Sequence, residues 1–369
     1  MAQRHPDPTD TPAMTVTGDA LAGYLRAQAT EFLRALRLHR ETGGQSGGAP
    51  ARARAGTGGG VGGTEESVDA ARALRRSARR ISGSLHTFRP LLDPDWSEEM
   101  RPELAWLSGT LGLEHAYEAR LERLLLALQR LSGASVFPGR TVTPAAVGPG
   151  GPARPAATAE RSALTVGAAK AGALLERQLT LARTRAHSTA LQALGSSRFH
   201  AVADKVALLA SEVPLAPAAP GTALHTLAAA AEERLTDAVT ALPLVTAGHP
   251  YNAEALVHGL SPDPAPHPQD GPWHQVRLLL RLHRYAHEVL HGTGTAPVDV
   301  RLLTAGQALD RHRDASEAAA AAAQAARTPR ITPATAYALG VLHADQRHEV
   351  EASRFTFQRT WQKHTANAP

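Results

Sequence analysis

The stretch "WHQVRLLLRLHRYAHEVLH", residues 273–291, admits two incompatible readings. Its last five letters, His287 to His291, spell H-E-x-x-H. That spacing sets two imidazoles on one helical face around zinc, with Glu288 as general base. Gly294 extends the string toward the longer H-E-x-x-H-x-x-G form. The same residues also make an amphipathic helix. His274, Arg277, Arg281, Arg284 and Glu288 recur three or four positions apart, while Leu278, Leu279, Leu282, Tyr285, Ala286 and Val289 supply apolar surface. Cations set among apolar residues are costly unless they line a groove or cavity.

The zinc reading is the weaker. His291 stands immediately before Gly292, and the longer motif needs a histidine where Pro297 stands. A zinc hydrolase also needs a third ligand, for which Glu317 is a distant candidate in an alanine-rich helix. With 18 histidines in the chain, chance strings of this kind are common. The expectation is a cationic helix, with no catalytic metal and no cofactor.

A second helix repeats the theme. "SVDAARALRRSARRISGSLHTFRPLL" (67–92) has no acid between Asp69 and Asp93. Arg72, Arg75, Arg76, Arg79 and Arg80 follow at helical spacing, and His86 continues the stripe. Like charges on one face repel, which costs stability unless an anion or an acidic surface answers them. Arg75 and Arg277 are 202 residues apart, as are Arg79 and Arg281, an offset that suggests internal duplication.

Nearly every other periodic segment reads as helix, and alternating β-branched runs are almost absent. Helices are expected from about Gly18, over 66–91, 97–131 and 159–194, then a short one near 196–210. After "PLAPAAPGT" (214–222) the pattern restarts at 223–242, 273–291, 298–327 and 332–363. The organisation is therefore a tail at 1–15, a first helical-bundle half at 16–213 and a second at 223–364. Gly/Pro-rich insertions at 42–64 and 133–158 read as flexible.

Composition narrows the function. The chain of 369 residues has no cysteine, which excludes disulfides and thiolate metal sites. Three of its 39 basic residues are lysines (Lys170, Lys205, Lys363), leaving 36 arginines and a formal charge of +5. GC-rich coding produces such a balance, but the planar arginine fork also suits phosphate. Pro and Asp interrupt the first twenty residues where a signal peptide needs an apolar run. No apolar stretch is long enough to span a bilayer, so a cytoplasmic protein is expected. No P-loop or nucleophile elbow is present, and aromatics are 4% of the chain, so sequence-specific nucleic-acid binding is not expected.

At these basic helices the sequence resembles the CHAD family, the conserved histidine α-helical domain. "RALRRSARRISGSLHTFRPLL" (72–92) is similar to the family's first basic helix. The second basic helix fits H-x-x-R-x-x-x-[KR]-x-x-R-Y through His274, Arg277, Arg281, Arg284 and Tyr285. "ELAWLSGTLG" (103–112), "LDRHRDA" (309–315) and "SSRF" (196–199) resemble further family segments. Arg72 stands where the family has histidine, and Ser82 and Leu282 stand at basic positions.

The resemblance implies an all-α fold of two helical bundles, about four long helices each, related by a pseudo-twofold with a basic surface between them. It further implies non-catalytic binding of inorganic polyphosphate or a similar linear polyanion, and association with polyphosphate granules. The residues expected to hold the anion are Arg72, Arg75, Arg79, Arg80, His274, Arg277, Arg281, Arg284, His312 and Arg313. The alternative is a helical scaffold module that has lost this ligand and docks an acidic protein partner.

Overall fold

The computed structural model describes residues 16–44, 62–133, 155–216, 224–249, 257, 260, 267–292 and 299–365. The expected tail at 1–15 and most of both expected insertions lie outside the described residues. The chain is all-α. The described helices are α1 (Val16–Gly44), α2 (Gly62–Thr87), α3 (Pro94–Ser132), α4 (Pro155–Leu194) and α5 (Ser197–Ser211). They continue as α6 (Leu224–Thr240), α7 (Leu244–Ala247), α8 (Gly271–His291), α9 (Val300–Ala326) and α10 (Pro333–Thr365). Among the described residues there is no β-strand, only an isolated antiparallel bridge between Leu92 and Leu215.

The helix ends follow local chemistry. α2 stops at Thr87 rather than near 91, because Pro90 lacks the N–H that an α-helical ladder needs. A single 3₁₀ turn (Arg89–Leu91) carries the chain on. α3 begins earlier than expected, with Pro94 in the first turn and the Asp93 carboxylate accepting from the Trp96 N–H at 2.8 Å. Ser196 caps α5 by accepting from the Phe199 N–H at 3.2 Å. Asp299 caps α9 by accepting from the N–H groups of Arg301 and Leu302 at 2.8 and 3.1 Å.

The packing does not divide at the 214–222 linker. Unit 1 is built from residues 1–113, 187–237 and 278–298, and unit 2 from 114–186, 238–277 and 299–369. Four of these boundaries fall inside α3, α4, α6 and α8. Length supplies a reason: 39 residues at 1.5 Å each make α3 about 58 Å long, too long to bury against one compact core. Each of the two units is thus assembled from three separate stretches.

Unit 1 has a large-residue core. Leu21, Leu25 and Phe32 of α1 meet Leu74, Ile81 and Leu85 of α2, Phe199 and Val206 of α5, and Ala286 and Val289 of α8. Unit 2 is built on small residues, with Ala318, Ala322 and Ala325 of α9 packed on Ala338, Leu339 and Leu342 of α10. The alanine run at 318–323 thus lets backbones approach closely. The tightest approach is at Gly167 of α4, where a Cβ would lie 2.1 Å from the Ala334 carbonyl oxygen. Only glycine fits there.

Candidate functional site

Within unit 1, α2 turns its apolar residues (Leu74, Ala78, Ile81, Leu85) into the core. Arg75, Arg79, Ser82 and His86, offset around the helix, are left on another face. Tyr285 of α8 packs directly on α2 at Gly83, where a Cβ would come within 2.6 Å of the ring. This close approach brings Arg79 and Arg281 to the same concavity, about 340 Å³ in volume. α3 supplies a third wall with Arg101 and Ser108. None of the described residues lining it is acidic.

Neighbouring contacts hold the walls in place. The Arg75 Nε–H donates to the Ser108 carbonyl at 3.2 Å, and its guanidinium lies against Gly112, where a Cβ would be 2.5 Å away. The Ser82 hydroxyl donates to the Arg101 carbonyl at 3.5 Å, and Arg101 pairs with Glu98 at 3.1 Å. On the same lining, partial desolvation of the His86 ring holds it below the usual imidazole range. The charges of Arg101 and Arg234 push the same way, Glu98 opposes them, and Arg89 adds a smaller lowering. The electrostatic balance at this ring is positive.

Arg80 is placed differently from its neighbours on α2. Its Nε–H donates to Glu288 Oε2 at 2.8 Å and its second nitrogen to Oε1 at 3.3 Å, while the Tyr24 hydroxyl donates to Oε2 at 2.9 Å. Glu288 therefore ties α8 to α1 and α2. Burial and the adjacent Glu288 carboxylate raise the Tyr24 phenol well above its ordinary pKa. Arg80, expected to hold the anion, is engaged by Glu288 and is absent from the lining of the concavity. Through these contacts Glu288 anchors two side chains, Tyr24 and Arg80. His287 and His291 stack with ring centroids 4.1 Å apart. Among the described residues no three His, Asp or Glu side chains gather to hold a metal ion.

The remaining expected residues are dispersed. Arg72 pairs with Asp69 at 3.1 Å. Arg284 lies 3.7 Å from Glu288 and over the Tyr285 ring at 5.4 Å. Four belong to unit 2. Arg277 pairs with Asp310 at 2.5 Å, and Arg313 with Asp314 at 2.9 Å and Glu317 at 3.9 Å. His274 stands edge-on to His312, centroids 5.4 Å apart. His312 is only 1% exposed and its Nε2 accepts from the Arg354 Nε–H at 3.3 Å. Burial, then Arg354, lowers its pKa strongly, so it is neutral and inaccessible. His312, expected as a supplementary donor to the anion, is thus buried within unit 2 and apart from the concavity of unit 1.

His312 belongs instead to a buried ionic cluster in unit 2. Asp270 accepts from Arg347 at 2.8 and 3.2 Å, from Arg354 at 2.6 Å and from the Ser316 hydroxyl. Arg354 also donates to Glu351 at 2.7 Å. Burial alone would raise the Asp270 pKa, but the hydrogen bonds and charge of Arg347 outweigh it and bring the group to about 2.

Of the ten residues expected to hold an anion, Arg79 and Arg281 share the concavity, and Arg75 braces its wall. The residues added are Arg101 and Ser108, with His86 at the rim. The sequence does not mark Arg101, because Glu98, three positions earlier, makes it resemble an ordinary surface pair.

The family model for the CHAD domain matches residues 59–323, most of the chain. Among solved structures, PptA from Streptomyces chartreusis is 66% identical, with 94% of this chain and 99% of that chain covered and a TM-score of 0.72. No curated protein matches the chain. No helix among the described residues is long and apolar enough to cross a membrane. Basic helices, all-α architecture and a family match that spans both units converge: the chain belongs to the CHAD domain family.

Proposed function

We propose that this protein binds inorganic polyphosphate, or a similar linear polyanion, without turning it over, and that the concavity of unit 1 is the principal seat. One observation carries the reading: Arg79 from α2, Arg101 from α3 and Arg281 from α8 line a single recess whose described lining contains no carboxylate. Guanidinium forks match phosphate oxygens in geometry as well as charge, and three helices hold them in fixed relation. The Ser82 and Ser108 hydroxyls add neutral donors to the same walls.

Each charge-assisted hydrogen bond lost is worth roughly 1.5–3 kcal/mol, which corresponds to about a ten- to hundredfold change in affinity. Titration of long-chain polyphosphate into wild type and Arg79→Glu/Arg281→Glu tests the reading. Wild type should bind, more weakly as salt rises because counterions are released. The double variant should lose most of the affinity, and the chain length of the polyphosphate should be unchanged after incubation. Equal, weak and salt-insensitive binding by both proteins would favour docking of an acidic protein instead.

A further inference from the structure

Among the described residues, His86 is the one imidazole lining this recess, one turn beyond Ser82 and two turns beyond Arg79 on α2. We propose that His86 is a proton-coupled phosphate ligand, neutral in the empty recess and protonated once a polyphosphate chain lies across it. The proposal rests on the polyanion-binding reading above.

The groups around the ring favour this coupling when an anion enters. α3 presents Arg101 and Glu98, the 3₁₀ turn presents Arg89, and α6 presents Arg234. Arg79 on its own helix and Arg281 on α8 share the lining. With burial and the charges of Arg101, Arg234 and Arg89 set against it and only Glu98 in its favour, the empty site disfavours an imidazolium. A phosphate chain reverses the local field. Its oxygens neutralise the arginines and accept a hydrogen bond from the protonated ring. A neutral imidazole carries one N–H, whereas the imidazolium carries two and a full charge.

Linkage fixes the sign. A ligand that raises the pKa of a group binds more tightly where that group is protonated, by the same factor in both directions. Affinity should be lowest well above the bound-state pKa, rise as pH falls through it, and level off below the empty-site value. Each unit by which the bound pKa exceeds the empty one is about tenfold in affinity. Arginines, which stay charged throughout, cannot produce this dependence.

The test is calorimetric titration of long-chain polyphosphate at about pH 6.5, near the histidine reference value, in two buffers of different ionisation enthalpy. Affinities are also compared at about pH 5.5 and about pH 8. Wild type should take up protons on binding and bind about tenfold more tightly at the lower pH. His86→Gln should lose both the uptake and the acid gain. His86→Arg should bind without proton uptake and with a flat pH profile, which separates a missing charge from a damaged fold. Tight binding with equal proton uptake in wild type and His86→Gln would overturn the coupling and leave the polyanion reading standing. A wild type that binds no polyphosphate at either pH would overturn both.

Discussion

Unit 1 and unit 2 each gather arginines around a focus, and they use them in opposite ways. In unit 2, Arg347 and Arg354 close on Asp270, which is fully buried, and Glu351 answers Arg354 a second time. Two cations meet two anions in a sealed core. In unit 1, Arg79, Arg101 and Arg281 open onto a recess whose described lining holds hydroxyls, an imidazole and apolar groups. The lesson is that arginine content does not identify a binding site. What matters is placement: Asp270 and Glu351 sit within the cluster of unit 2, whereas the described lining of the unit 1 recess includes no carboxylate.

The sharpest way to break this contrast is at Asp270. Asp270→Ala leaves Arg347 and Arg354 buried without their shared anion, and losing one partner of a buried ionic cluster costs about 3–5 kcal/mol. The urea midpoint should drop accordingly. A variant as stable as wild type would mean that the cluster is not the structural half of the pair. Arg281→Gln, by contrast, should leave the midpoint within about 0.5 kcal/mol, as expected for a residue outside the core.

Next in size is Gly83→Ala. The new methyl would press on the packed Tyr285 ring, an overpacking cost of about 1–3 kcal/mol. Glycine to alanine returns about 1 kcal/mol in a helix interior. The net result is a modest loss of stability together with weakened polyphosphate binding, because α2 and α8 must part. Gly112→Ala should be close to neutral in stability, since it meets only the far end of the flexible Arg75 side chain. Comparing the two by thermal melts isolates the helix contact from the loss of glycine itself.

Acid should act on unit 2 through His312. Its folded pKa is depressed, so its contribution to stability is complete above the ordinary value of 6.5 and is lost as pH falls below it. His274 and His343 are depressed in the same sense. The melting temperature should fall between about pH 7 and about pH 5, and His312→Gln should flatten that slope. The smallest expected effect is at Ser82, where Ser82→Arg adds a cation to the recess and should tighten polyphosphate binding several-fold, roughly the value of one charged contact at a solvated rim.

Local features of this molecule were legible and tertiary ones were not. The Leu21–Leu25–Phe32 stripe of α1 falls in the core as its spacing predicts, and Ser196 caps α5 where the chain restarts a helix. Helix periodicity is a nearest-neighbour property that the sequence carries openly. The make-up of the two compact units is not legible in the linkers, because a Pro/Gly-rich segment marks where the chain can bend, whereas unit boundaries fall inside long helices. Arg79 and Arg80 show the limit most clearly. They are adjacent in one basic run, yet the first lines the recess and the second is held by Glu288. That difference depends on a residue 208 positions away, and no local pattern encodes it. Within the H-E-x-x-H string, Glu288 is held by Tyr24 and Arg80, contacts that the motif's spacing does not encode.

The most direct measurement sets Arg281→Gln beside Arg313→Gln in a polyphosphate titration at low salt. Arg281 lines the recess, whereas Arg313 is paired with Asp314 and Glu317 in unit 2. Arg281→Gln should weaken binding at least about tenfold, the value of one charge-assisted contact. Arg313→Gln should stay within about twofold of wild type, as a removed ion-paired surface charge does. Equal losses in the two variants, or a larger loss for Arg313→Gln, would contradict the assignment of the polyanion site to the recess of unit 1.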